Sequence, residues 1–241
     1  MTPKKKVVLF IVEGFNDQTA LAVSLEKLLT SESVKFAITE GDITSDYFGK
    51  SIAAKVGDCI KKHCDEYKFK IGDFAEAVLL VDMDGAYIGA ESIMQKDGCT
   101  APFYDSSIIF HAKPELLRKT QVQKQINLNH LTALPRVCRT IPFSVYFFSC
   151  NLDHVICGNA NLTQKEKSAA ADEFQKRFHS DLAGFLNFFH DESISVCQTY
   201  EESWTYIKKD QNSLKRCSNL HIFLSPAAAR TQRDFTEMQK K

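Results

Sequence analysis

Two acidic motifs each follow a run of apolar residues in this sequence. In VVLFIVEG, six apolar residues lead directly to Glu13, and in AVLLVDMDG an apolar run ends at Asp82 and Asp84. A short continuous apolar run is typical of a strand that is buried on both faces. Open α/β sheets bind ligands outside the carboxyl ends of their strands. If the two strands are parallel neighbours, the three carboxylates meet in one site.

Carboxylates that meet in this way repel one another unless a cation lies between them. Hard oxygen ligands of this kind suit Mg²⁺ or Mn²⁺. We therefore predict a divalent-metal site at Glu13, Asp82 and Asp84, in which Glu13 shares the metal or acts as general acid or base. Asp17 and Asp153 are candidates for a further metal or for orienting water. The alternative is a simple tight turn after the strand, because Asp followed by Gly favours turns.

The rest of the sequence predicts an α/β fold with a mostly parallel sheet flanked by helices, because strands alternate with helices. The predicted strands are 7–12, 34–39, 76–85, 106–112, 143–149 and 219–225. The predicted helices are one capped by Asn16 or Asp17, then 51–64, 114–126, 162–178 with a Thr163–Glu166 capping box, 181–193, 200–211 and 227–241. We predict an α/β catalytic domain at 1–155 and a mainly helical C-terminal region at 156–241 that packs on it.

Composition narrows the class of protein. Hydrophobic residues make up 44% of the 241 residues, enough for a sizeable core, and 30 basic residues balance 30 acidic ones. A strongly basic nucleic-acid coat is therefore not expected. No apolar run is long enough to span a membrane. Eight cysteines without a C-x-x-C pair predict free thiols in a cytoplasmic protein.

The order V-E-G-x-x-D and then V-D-x-D-G resembles the toprim domain of topoisomerases, primases, OLD-type nucleases and small ribosomal-RNA maturases. The resemblance covers about residues 5–90 and continues to about 155. It implies that Glu13 takes part in acid–base or metal chemistry and that Asp82 and Asp84 hold Mg²⁺.

Within the toprim family, the chain is most similar to the compact nucleases of bacterial phage defence, of which the effector of the PARIS system is one example. The segment at 143–155, a strand followed by CNLDHV, is similar to the strand, Asn and acidic residue of these proteins, so that Asp153 matches the acidic position. The resemblance implies metal-dependent hydrolysis of phosphodiester bonds in DNA or RNA, as part of antiviral defence.

Three basic residues are candidates for contacts with the phosphates of a nucleic acid. Lys50 lies in a Gly-Lys-Ser sequence that imitates the end of a P-loop, but Thr44 stands where the first glycine is needed. Lys113 and Arg118 lie in the mildly basic segment KPELLRKTQVQK, which could follow a phosphate backbone. A solvated loop and a solvated helix face are the alternatives for these side chains.

Two functions stay open at this point. The first is a nuclease that acts on a nucleic-acid substrate. The second is a catalytically silent toprim module that docks an ATPase encoded separately, since OLD-type proteins carry an ATPase that this chain lacks. Homo-oligomer formation is compatible with either function.

Overall fold

The computed structural model describes residues 5–39, 41–46 and 49–226. Its strands are β1 (Val7–Val12), β2 (Ser33–Ile38), β3 (Phe74–Asp82), β4 (Ile93–Gln95), β5 (Phe103–Tyr104), β6 (Ile109–His111), β7 (Arg136–Val137), β8 (Ile141–Ser149) and β9 (Cys217–Ser218). Its α-helices are α1 (Phe15–Leu28), α2 (Ile52–Tyr67), α3 (Pro114–Thr132), α4 (Leu152–Cys157), α5 (Gln164–Phe178), α6 (Leu182–His190) and α7 (Tyr200–Ile207), followed by a helical stretch at 220–226. None of the described helices is long and apolar enough to cross a membrane.

The main sheet has the strand order β2-β1-β3-β8-β7, and β9 also pairs with β8. Strands β1, β2, β3 and β8 are parallel, whereas β7 and β9 run antiparallel to β8. The predicted fold class is therefore confirmed. Strand β2 lies on one side of β1, and β3 lies on the other side. The connections after β1 therefore lead first to one side of the sheet and then to the other, which makes the gap between β1 and β3 a topological switch point. Such a switch point opens a crevice at the carboxyl ends of the two strands.

Strand β1 is completely buried, because each of its six residues is at most 1% exposed. Its side chains alternate between two hydrophobic cores, as expected for a strand covered on both faces. Helices α1, α5 and α6 and the stretch 220–226 pack against one face, and α2, α3 and α7 pack against the other. This double cover holds the end of β1 in a fixed position.

The helical C-terminal region shares both cores with the α/β part of the chain. Helices α5 and α6 supply a group of phenylalanines to one core, and α7 supplies Trp204 to the other. Strand β9 joins the main sheet through β8. The helix predicted at 227–241 lies outside the described residues.

The strand predicted at 219–225 is wrong, because residues 220–226 are helical. Leu220, Phe223 and Leu224 are buried at a helical spacing of three and four residues. The side chain of Ser218 accepts a hydrogen bond from the backbone N–H of Leu220 at 3.1 Å, at the start of this helical stretch. A short apolar run alone does not distinguish a strand from a helix that packs on a core.

Smaller corrections concern the ends of elements. The N-cap of α1 is Gly14 rather than Asn16 or Asp17, and Asp17 accepts the backbone N–H of Gly14 at 2.9 Å from inside the first turn. Helices α2 and α3 both extend beyond their predicted ends. The strand predicted at 106–112 is reduced to β6, which lies in a separate small sheet of order β4-β6-β5.

Gly85, just after β3, generates a stability prediction. Its φ of +64° favours glycine, and an added Cβ would lie 2.6 Å from Cδ1 of Ile109 and 2.7 Å from Cδ2 of Leu214. We expect Gly85→Ala to lower the free energy of unfolding by roughly 2–4 kcal/mol, because strain and overpacking add. Gly98→Ala is the matched control: its φ is +82° and no atom lies within 4 Å, so about 1 kcal/mol is expected. If urea denaturation showed that both variants lose the same free energy of unfolding, the packing argument would be contradicted.

Candidate functional site

The parallel pairing of β1 with β3 brings two predicted site residues together. Glu13 directly follows β1, and Asp82 is the last residue of β3. The backbone N–H of Asp82 donates to Oε1 of Glu13 at 3.3 Å. Oδ1 of Asp82 in turn accepts the backbone N–H of Leu152, the first residue of α4, at 2.9 Å. The carboxylate of Glu13 therefore contacts the backbone of Asp82 at the switch point of the sheet, although the two residues are 69 apart in the chain.

Both residues line a cavity of about 220 Å³, which we call the acidic cavity. Its lining residues are Glu13, Gly14, Phe15, Asn16, Asp17, Asp82, Asp153, Gln164 and Lys167. The predicted residues Asp17 and Asp153 thus share this cavity with the first pair. Lys167 of α5 is the cationic lining residue, and its Nζ lies 3.0 Å from Oδ2 of Asp153. Four carboxylates therefore face one small space: one directly after β1, one in α1, one at the end of β3 and one in α4.

Burial makes these carboxylates difficult to ionise in the absence of a cation. It raises the pKa of Glu13 and of Asp82 well above the ordinary range, and neighbouring carboxylates raise both further. Burial also raises the pKa of Asp17 to about 6, against the opposing effect of the hydrogen bond from Gly14. A cation in the acidic cavity would relieve this electrostatic penalty.

The donor set of the acidic cavity fits a hard divalent ion in its chemistry. Oxygen atoms provide the anionic ligands, and no histidine or cysteine is among the described residues that line the cavity. In the part of the chain that the structure describes, no three acidic, histidine or cysteine side chains already surround one point as metal ligands. The fit is therefore one of donor type and charge rather than of a preformed coordination shell.

Asp84 lies beside the acidic cavity and has other partners. Its Oδ2 accepts from Nζ of Lys124 at 2.6 Å, and its Oδ1 accepts from the hydroxyl of Tyr104 at 2.8 Å. Its backbone has a left-handed φ of +49°, and its N–H donates to the carbonyl of Cys150. Of the three predicted primary ligands, Glu13 and Asp82 thus line the cavity, whereas both carboxylate oxygens of Asp84 are engaged next to it.

Lys124 of α3 is the functional residue that sequence reasoning missed. Its side chain is 1% exposed, and Nζ lies 2.9 Å from Asp42 and 2.6 Å from Asp84. Burial alone would raise the pKa of Asp42, but Lys124 and the hydroxyls of Ser45 and Thr44 lower it to about 2. This buried ion pair connects α3, the loop 41–46 and the turn after β3.

A signal for Lys124 was present in the sequence of α3. Its buried residues are Gln121, Lys124, Asn127, Leu128 and Leu131, which share one face of the helix. A polar stripe in line with two buried leucines indicates a helix face that meets buried charges. The mildly basic composition of the segment instead predicts an exposed face, which either follows a phosphate backbone or is solvated.

The three predicted phosphate-binding residues lie outside the acidic cavity. Lys50 forms an exposed ion pair near the start of α2. Lys113 is the exposed N-cap residue of α3. Nη2 of Arg118 donates to the carbonyls of Ala90 at 2.5 Å and Ile93 at 3.1 Å, which fixes the chain before β4. The positively charged side chain that the structure places in the cavity is that of Lys167.

Replacing Lys124 tests the importance of the buried ion pair for stability. We expect Lys124→Met to lower the free energy of unfolding by roughly 3–5 kcal/mol, because the carboxylates of Asp42 and Asp84 lose their shared buried cation. Lys61→Met is the control, since this side chain is 68% exposed and lies 3.8 Å from Asp58, and its loss should cost at most about 1 kcal/mol. Similar stability of both variants in urea denaturation would contradict the structural role of Lys124.

Asp17 generates a prediction of pH dependence. Folding raises its pKa from 3.8 to about 6, so the folded protein binds more protons than the unfolded chain between these values. Its contribution to stability therefore falls as the pH rises through this interval and is constant above it. The variant Asp17→Asn has no carboxyl group to ionise, so it does not lose this stability as the pH rises. Its amide oxygen can still accept the N–H of Gly14. With a chelator present, the variant should gain little stability near pH 4 and about 3 kcal/mol at pH 7. A gain that is independent of pH would contradict the assignment.

Three comparisons of the chain with known proteins found nothing: no protein-family model, no curated protein and no solved structure matches it.

Proposed function

We propose that the protein is a divalent-metal-dependent hydrolase of phosphodiester bonds in DNA or RNA. The observation that carries the proposal is the pairing of Glu13 with Asp82 at the switch point of a parallel sheet. Two further carboxylates and Lys167 line the same cavity. This combination supplies oxygen ligands for a cation and a positive group for a phosphate.

Mg²⁺ or Mn²⁺ would be held by Glu13 and Asp82, with Asp17 and Asp153 as further ligands. The bound ion would polarise the phosphate and make water a better nucleophile. We assign Asp84 a supporting role, because Lys124 and Tyr104 engage both of its carboxylate oxygens.

The side chains of the cavity have separate tasks in this proposal. Glu13 either holds the ion or acts as general acid or base, and burial raises its pKa in favour of the protonated form. Lys167 would contact a phosphate oxygen of the substrate. Lys124 is a positioning residue, because it fixes the turn that follows Asp82 without lining the cavity.

Cleavage assays with plasmid, single-stranded DNA and total RNA test this proposal. We expect Mg²⁺ or Mn²⁺ to support cleavage, and we expect Glu13→Gln and Asp82→Asn to reduce it by at least about 100-fold. These isosteric variants are better tests than alanine, because each wild-type carboxylate accepts a backbone N–H. With a chelator, their melting temperatures should equal or exceed that of the wild type, since a buried charge is removed. Lys50→Gln is the control and should cleave normally.

Ion binding separates the enzyme from the alternative function, a silent module that docks a separate ATPase. Mn²⁺ should raise the melting temperature of the wild type and leave that of Asp82→Asn unchanged, because only the wild type has the complete ligand set. A melting temperature indifferent to the ion, together with no cleavage, would support the docking module. The phage-defence role, the ATPase partner, the cytoplasmic location and a homo-oligomer stay predictions from the sequence.

A further inference from the structure

Phe15 is an aromatic residue in an unusual position at the acidic cavity. Its side chain is 70% exposed, the largest value among the large hydrophobic side chains of the described residues. It lines the cavity together with Glu13 and Asp82. It belongs to neither of the two hydrophobic cores that cover the sheet. Its ring therefore adds exposed apolar surface to the acidic cavity and is not part of the packing of the fold.

The start of helix α1 does not require an aromatic residue. Phe15 is the first residue of the helix, and the cap is supplied by Asp17, which accepts the N–H of Gly14 at 2.9 Å. Any good helix former would serve at this position. The exposed ring is thus free to contact a ligand that enters the cavity.

We propose that Phe15 is a stacking platform for an unpaired nucleobase next to the phosphate that is cleaved. The substrate is then single-stranded nucleic acid or a locally unpaired segment of a folded one. This inference rests on the proposed function, since it assigns a substrate class to the same site. Every nucleobase has a π face that stacks on an aromatic ring, and bases inside a duplex have theirs covered.

The neighbours of Phe15 suit the rest of a nucleotide. Asn16 and Gln164 also line the cavity, and their amide groups can donate to and accept from the edge of a base. The hydroxyl of Ser168 donates to Oδ1 of Asn16 at 3.2 Å, which orients this amide. Lys167 lies in the cavity for the phosphate. The acidic cavity therefore offers contacts for the face of a base, for the edge of a base and for a phosphate.

The charge of the chain supports the same substrate class. Thirty basic residues balance thirty acidic ones, so the protein has no overall positive charge with which to hold a duplex backbone. Stacking on an exposed ring adds about 1–3 kcal/mol per base to the phosphate contacts, and this gain is open only to an unpaired base.

Tryptophan fluorescence tests base stacking directly. In the double variant Phe15→Trp, Glu13→Gln, a short single-stranded oligonucleotide should quench the fluorescence of the new tryptophan. The duplex of the same sequence should bind at least about 10-fold more weakly. The native Trp204 is 4% exposed and packs on Phe147, so it gives a constant background. Tyr67→Trp is the control, because Tyr67 is 51% exposed on α2 in a different cavity and should not be quenched.

Conservative variants separate stacking from general hydrophobicity. Phe15→Tyr should keep wild-type affinity for the single strand. Phe15→Leu and Phe15→Ala should each weaken binding by about 5- to 100-fold, the size of one lost base stack. In cleavage assays with Mn²⁺, both should raise KM much more than they lower kcat. Unchanged melting temperatures would confirm that all variants fold.

The outcomes distinguish this inference from the proposed function. If the wild type cleaves nucleic acid but Phe15→Leu binds and cleaves like it, or if duplex and single strand bind equally, the inference is overturned and the hydrolase proposal stands. If Phe15→Trp is quenched by the single strand but no nucleic acid is cleaved with either ion, the base contact stands and the hydrolase proposal fails. Quenching of Tyr67→Trp alone would overturn the assignment of the binding surface.

Discussion

The concentration of negative charge at one end of the sheet is the constraint on which the rest of the structure depends. A buried charge without a partner costs several kcal/mol, and here the partly buried Glu13 and Asp82 line the same cavity, where burial raises the pKa of both. The fold compensates part of this charge with a buried lysine, Lys124, which binds Asp84 and Asp42 at once. One ammonium group thereby connects a helix, a loop and the turn after a central strand. The carboxylates of Glu13, Asp82 and Asp17 in the acidic cavity keep raised pKa values, because no cation among the described residues compensates them as Lys124 compensates Asp42.

The topology of the sheet explains why the carboxylates meet at all. The strand order places β1 between β2 and β3, so the carboxyl ends of β1 and β3 are neighbours. Strand β8 lies next to β3, and α4 begins shortly after the end of β8 in the chain. This brings Asp153 of α4 to the same edge of the sheet. Two hydrophobic cores, one on each face, fix the strands against movement. The position of each functional side chain therefore follows from the packing of the sheet rather than from a mobile loop.

The sequence allowed the central strands and the pair Glu13 and Asp82 to be predicted, because continuous apolar runs with acidic ends are strong local patterns. The stretch 219–225 was misassigned because seven residues are too few to separate a strand period from a helix period. The partners of Asp84 could not be predicted, because Lys124 is 40 residues away and Asp42 meets that lysine across 82 residues. Such pairings arise only from the tertiary fold. The membership of the toprim family, which rests on two short motifs, stays a prediction.

The residues that line the acidic cavity lie directly after β1, in α1, at the end of β3, in α4 and in α5, and they span residues 13–167. During synthesis on the ribosome, a growing chain that has reached only β8 lacks Asp153, Gln164 and Lys167. The parallel pairing of β1 with β3 and of β3 with β8 also requires contacts between distant segments, which form late compared with local helices. The full set of lining residues is thus not available until the polypeptide has passed residue 167 and the sheet has formed. Translation products that end earlier would not possess the complete cavity.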